Sequence, residues 1–256
     1  MIKKIVGSIL ILSSFFAMSK QGTTHIYMAG DSTMSIKDVK DYPETGWGMP
    51  FSIFFNESVS VVNLAKNGRS TRTFKTEGLW KKIIDNIQVG DYVFIQFGHN
   101  DESKKKIDRY TSPEQFADNL THFINDINAK KAHAILLTPI TRRYFNKMGT
   151  LKETHPIYAD KVRQVAQETG VDFIDMEKVT TAYFQSLGDK GSALRFMHIG
   201  ANLHPNYPFG VTDDTHLNQL GAREVAQLVL TQLKILNHPL VKKLRTPDPK
   251  HLKLKG

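Results

Sequence analysis

Five short apolar runs, at residues 25–29, 59–64, 92–97, 133–138 and 171–174, recur along the chain and are rich in β-branched and aromatic residues. They are nearly continuous in apolar character, which is the composition of a strand buried on both faces. Such strands belong in a parallel sheet covered by helices, and helical patterns do lie between the runs. The clearest spans 113–130, where Ser112 is a candidate N-cap and Phe116, Leu120, Phe123, Ile124 and Ile127 fall on one stripe. Others are expected at 156–168, ended by Gly170, and at 219–236, where Ala222, Val225, Ala226, Val229 and Leu233 share a face. The alternation predicts an α/β fold, a three-layer α/β/α sandwich around a five-stranded parallel sheet.

At 256 residues with 40% hydrophobic content, the chain suits one large domain, expected over 20–240. Before it, Lys3 and Lys4 precede an apolar run from Ile5 to Phe16, and Ala17-Met18-Ser19 offers small residues for cleavage. Residues 1–19 therefore read as a signal peptide, and the mature protein as secreted or periplasmic with no stable membrane insertion. There are no cysteines, which excludes disulfides, a thiol nucleophile and thiolate metal ligands. The formal charge is +9, and loss of Lys3 and Lys4 leaves +7. Residues 241–256 carry six basic side chains against Asp248, a net +5, and read as a solvated basic tail or one drawn to an acidic polysaccharide or envelope surface. The body retains only about +2, which argues against a nucleic-acid partner.

Two irregular stretches, 140–155 and 188–214, are expected beyond the carboxyl ends of the strands, where open α/β sheets bind ligands. Ser32 stands at the same edge, just after the first strand in Ala29-Gly30-Asp31-Ser32-Thr33. A serine hydroxyl is a weak nucleophile unless an imidazole takes its proton and a carboxylate orients that imidazole. Asp213-Asp214-Thr215-His216 offers both, three residues apart at an expected loop-to-helix transition, with Asp214 the competing carboxylate. Gly68 follows the second strand and can bring its backbone N–H close to a ligand. Asn100, in Gly98-His99-Asn100-Asp101 after the third strand, can donate from its side chain. With the Ser32 N–H, these donors would face the oxyanion formed when serine attacks an ester carbonyl.

The blocks Gly30-Asp31-Ser32, Gly68, Gly98-His99-Asn100-Asp101 and Asp213-x-x-His216, in this order, resemble the SGNH (GDSL-type) hydrolase superfamily. Gly46-Trp47-Gly48, Asn67-Gly68-Arg69-Ser70-Thr71-Arg72, Gln96-Phe97-Gly98-His99-Asn100-Asp101 and Asp213-Asp214-Thr215-His216-Leu217 look, more narrowly, like the rhamnogalacturonan acetylesterases among carbohydrate esterases. The resemblance runs from about residue 25 to 236. It implies a flavodoxin-like sheet and removal of O-acetyl groups from pectic rhamnogalacturonan. Ser32 would be the nucleophile, His216 the base and acid, Asp213 the orienting carboxylate, and Ser32, Gly68 and Asn100 the oxyanion hole. Thr33-Met34 departs from the wider GDSL pattern, which often has Leu or Ile followed by Thr, and so points away from the lipase-like branch.

Arg72, Arg142, Arg143, His155 and Trp47 are candidate contacts to a sugar or a uronate carboxylate, with solvated loop positions or core packing as the alternatives. His99 reads as a hydrogen-bonding residue at a strand end, Asp31 as support for the turn, and Trp80 as helix packing. His198, His204, Asp213, Asp214 and His216 lack a metal-ligand spacing, so neither metal nor other cofactor is expected. The expected substrate is an acetylated polysaccharide or oligosaccharide, taken by a monomer. The rivals are a GDSL lipase or acyl-thioesterase, an acetylesterase for xylan or other glycans, and a carbohydrate-binding protein that has lost catalysis.

Overall fold

The computed structural model describes residues 22–246. The expected signal peptide lies outside them, as does the end of the basic segment, 247–256. Strands β1 (Thr24–Gly30), β2 (Val59–Asn63), β3 (Tyr92–Gln96), β4 (His133–Leu137) and β5 (Asp172–Ile174) form one sheet. All are parallel, in the spatial order β2-β1-β3-β4-β5. That is the flavodoxin-like order, whose ligand crevice opens where the direction of winding reverses, between β1 and β3. Those two strands end in step, with Gly30 paired to Gln96. Whatever follows each strand therefore emerges over one point of the sheet edge.

Alternate residues of each strand enter two separate cores, which is why the strands read as continuous apolar runs. Ile26, Met28, Phe94, Ile135 and Leu137 face one core, closed by α5 (Met176–Ala193) and α6 (Gln219–Ile235). Tyr27, Ala29, Val93, Ile95 and Leu136 face the other. It is closed by α1 (Thr71–Thr76), α2 (Leu79–Asn86), α3 (Pro113–Ala129) and α4 (Pro156–Thr169). The expected three-layer sandwich is present. The stripe Phe116, Leu120, Phe123, Ile124 and Ile127 is buried, each side chain contributing about 1.5–3 kcal/mol of burial that an isolated helix lacks. Ser112 caps α3 by accepting from the Gln115 N–H, and Gly170, at φ 64°, ends α4 in the left-handed conformation. Trp80 stacks on Phe123 at 3.9 Å. Among the described residues no helix is long and apolar enough to cross a membrane.

Residues 188–214 are more regular than their composition suggested. Helix α5 continues through a kink at Gly188 to Ala193, and β6 (Phe196–Ile199) pairs antiparallel with β7 (Val211–Leu217). Their register breaks: adjacent Phe196 and Met197 pair with Leu217 and Asp213, so residues 214–216 bulge out of the ladder. The basic segment also begins differently from expectation. Pro239–Lys243 forms a 3₁₀ turn with Leu240 buried, Leu244 bridges Phe55, and the Arg245 N–H donates to the Phe54 carbonyl at 2.8 Å. Leu240 and Leu244, spaced one turn apart among the cations, hold 241–245 on the body.

Candidate active site

Ser32 is placed by a tight turn. The Met34 and Ser35 N–H groups donate to the Asp31 carbonyl, while Asp31 Oδ1 accepts the Thr33 N–H at 2.9 Å and its hydroxyl at 2.8 Å. Gly30 lets this turn lie close against β3, since a Cβ there would stand 2.9 Å from the Gln96 carbonyl oxygen. Asp31 is fully buried and supports the turn, whereas Ser32 keeps a window onto the cleft. His99 closes the floor, with Nδ1 3.3 Å from Asp31 Oδ2. Burial, with His155 beside it, pushes the His99 imidazole down to about 4, so the ring is neutral at pH 7.

Asp213 and His216 belong to strand β7 and its bulge, not to a loop-to-helix transition. The bulge brings residues three apart onto one side: Asp213 Oδ1 accepts the Thr215 and His216 N–H groups at 2.7 and 3.1 Å. Asp213 Oδ2 lies 2.7 Å from His216 Nδ1, and His216 Nε2 lies 3.0 Å from Ser32 Oγ. Burial alone would raise the Asp213 carboxyl, but the bonds from the His216 ring and the two N–H groups outweigh it and hold the group at about 2. Asp214, the competing carboxylate, turns to His198 Nε2 at 2.7 Å and to Arg143.

The donors converge from the next two strand ends. Gly68, at φ 76°, adopts a conformation that a side chain would strain. Among the described residues, neither its N–H nor that of Ser32 has a protein acceptor. Asn100 is fixed from both ends: its Oδ1 accepts from Arg109 Nη1 at 3.0 Å, and its Nδ2 donates to the Arg69 carbonyl at 3.1 Å. One Nδ2 hydrogen remains for a ligand. Ser32, Gly68, Asn100 and His216 line a common cleft of about 490 Å3.

The candidate substrate contacts divide. Arg142 lines the cleft, donating from Nη1 to Thr215 Oγ1 at 2.7 Å. The other four do not line it. Trp47 is fully buried, edge-on to Phe51, and donates to Gln96 Oε1 at 2.7 Å, because a glutamine inside the sheet must find partners. Arg72 is drawn to the Ile107 carbonyl. Arg143 pairs with Asp189 and Asp214, and His155 is buried beneath the cleft with Nδ1 3.0 Å from Glu102 Oε1. The cleft instead has a basic side, Lys106 and Arg109, and an acidic one, Asp41 and Glu44. Sequence reasoning missed Arg109, although the cationic run Lys104-Lys105-Lys106 just after the third strand marked that loop.

A model of the GDSL-like Lipase/Acylhydrolase family matches residues 28–223. The chain is 38% identical over 215 residues to the rhamnogalacturonan acetylesterase RhgT of Bacillus subtilis (strain 168), covering 84% of this chain and 91% of that one. It is 35% identical over 225 residues to the probable rhamnogalacturonan acetylesterase YesY of the same organism, covering 86% and 97%. Among solved structures, Bacillus subtilis YxiM superposes with a TM-score of 0.73 at 27% identity, covering 85% of this chain and 58% of that one. The chain therefore belongs to the GDSL-like lipase/acylhydrolase family, as a carboxylic-ester hydrolase similar to rhamnogalacturonan acetylesterases.

Proposed function

We propose that this protein is an exported carbohydrate O-acetylesterase that deacetylates a plant cell-wall polysaccharide, pectic rhamnogalacturonan first among them, through an acetyl-Ser32 intermediate. The observation that carries the reading is the line Ser32 Oγ, His216, Asp213, with contacts of 3.0 and 2.7 Å, opening into the cleft that Gly68 and Asn100 share. The similarity to RhgT and YesY supports the acetylated sugar as substrate.

Asp213 holds the proton on His216 Nδ1, leaving the Nε2 lone pair toward Ser32. Ser32 Oγ attacks the acetyl carbonyl as Nε2 takes its proton. The oxyanion is met by the Ser32 and Gly68 N–H groups and by Asn100 Nδ2, each such donor being worth roughly 3–4 kcal/mol of barrier. His216 returns the proton to the departing sugar oxygen, leaving acetyl-Ser32. Water then attacks the acetyl group with His216 again as base, and acetate leaves as Ser32 recovers its proton.

The lipase or thioesterase rival has a physical handle in a second groove of about 580 Å3, lined by Val39, Tyr42, Met49 and Leu220, which meets the cleft at Glu44. An acyl chain entering it from Ser32 would pass that carboxylate, whereas sugar hydroxyls can bond to it. Acetate release from acetylated rhamnogalacturonan, xylan and mannan, beside hydrolysis of nitrophenyl esters of increasing chain length, tests the reading. Highest turnover on rhamnogalacturonan with acetyl preferred over longer acyl groups is expected. Preference for long acyl esters would overturn it.

A further inference from the structure

The bulge that carries His216 is held from outside its own ladder. Residues 214–216 fall between the pairs Met197–Asp213 and Phe196–Leu217 and have no cross-strand partner. A three-residue excursion of this kind can swing, and a displacement of about 1 Å at a reacting group can cost on the order of 10²-fold in rate. Two neighbouring residues of the loop after β4 tie it down. The Arg143 N–H donates to the Asp214 carbonyl at 2.8 Å, and Arg142 Nη1 donates to the Thr215 hydroxyl at 2.7 Å, one residue before His216.

Arg142 is itself anchored at both ends. Its N–H donates to Thr154 Oγ1 at 3.0 Å, and the preceding Thr141 N–H donates to Thr180 Oγ1 on α5, also at 3.0 Å. Its second arm, Nη2, lies 3.4 Å from Glu102 Oε1, whose other neighbour is Nδ1 of the fully buried His155. Burial works against the Glu102 carboxylate, but the His155 bond and the Arg142 charge outweigh it and hold the group below its ordinary value, so it remains an anion for the guanidinium. Each arm of the Arg142 fork thus has one partner within the protein, on a side chain that borders the cleft.

We infer that Arg142, braced by Glu102, is a positioning residue that fixes the Thr215 hydroxyl and through it the angle at which His216 meets Ser32. This rests on the Ser32–His216 reading above. The role differs from a sugar contact in what it controls: the rate on any acetyl ester, with or without a sugar attached.

The test uses nitrophenyl acetate, which has no sugar, on the full chain and on Arg142→Met, Thr215→Val and the double variant. A fall in kcat of about 10- to 100-fold is expected for each single variant, with KM within about twofold. The double variant should lose no more than the worse single one, because both remove one interaction. Arg142→Lys, which keeps a cationic donor without the fork, should recover part of kcat. Thr215→Val removes only the acceptor and keeps the test intact if Arg142→Met folds poorly. The inference is overturned if the losses in the two single variants multiply, or if Arg142→Met keeps kcat on nitrophenyl acetate and raises KM only on polysaccharide. Survival of turnover in Ser32→Ala would instead bring down the underlying reading.

Discussion

Gly68→Ala tests whether the glycine after β2 serves the oxyanion or only the turn. The substitution carries two costs. Gly68 has φ 76°, and a residue with a Cβ in that region pays about 1–2 kcal/mol. In a domain of this size that lowers Tm by about 2–8 °C. The new Cβ would also stand 3.0 Å from Arg109 Nη1, the atom that holds Asn100 Oδ1 at 3.0 Å. The guanidinium is the end of a flexible side chain, so it moves first, and Asn100 loses the contact that fixes its amide. Loss of a whole oxyanion donor costs about 10²–10³ in kcat, so displacing one donor and loosening another should cost at least about 10-fold. Nitrophenyl acetate kinetics beside a thermal melt separate the two effects. A variant with lowered Tm and lowered kcat at nearly constant KM is expected. A lowered Tm with unchanged kcat would refute the oxyanion argument and leave Gly68 as a turn residue.

Asn100→Ala should lower kcat by about 10²–10³ with little change in KM, measured on the same ester. Trp47→Ala should cost about 3–5 kcal/mol in denaturant unfolding, because the ring is fully buried, and any variant that remains folded should bind oligosaccharide as before. Asp101 gives a pH signature: burial pushes its carboxyl up to about 7 against the bonds it accepts from the Thr71 N–H and hydroxyl. The unfolded carboxyl titrates near 4, so between about pH 4 and 7 the folded state holds more proton and stability falls as pH rises. Asp101→Asn should remove that slope, and its urea midpoint relative to the parent should rise from pH 5 to pH 8.

Much of this architecture is written in local patterns. The strands were legible because burial on both faces leaves no polar alternation, and α3, α4 and α6 because their apolar residues repeat on one face. Helix α5 was not, since its buried positions include Glu177, Thr180 and Ser192 and its course passes Gly188 and Gly191. The hairpin of β6 and β7 escaped because Thr212-Asp213-Asp214-Thr215-His216 is polar throughout, with no period of two. The proximity of Ser32, Asp213 and His216 was foreseeable from chemistry, since each needs the others; the bulge that achieves it was not. Side-chain direction was the least legible feature. Arg143, His155 and Trp47 are claimed by Asp189, Glu102 and Gln96, partners 46, 53 and 49 residues away that only the folded chain brings near.

The proposed chemistry depends on the Ser32 hydroxyl. Initial rates of acetate release from acetylated rhamnogalacturonan by the native chain and by Ser32→Ala, at equal concentration and matched thermal melts, test it most directly. Removing a serine nucleophile in such a site costs on the order of 10⁶-fold in kcat, so the variant should fall to the limit of detection. A folded Ser32→Ala protein that still releases acetate at a tenth of the native rate would contradict the nucleophile, and with it the mechanism.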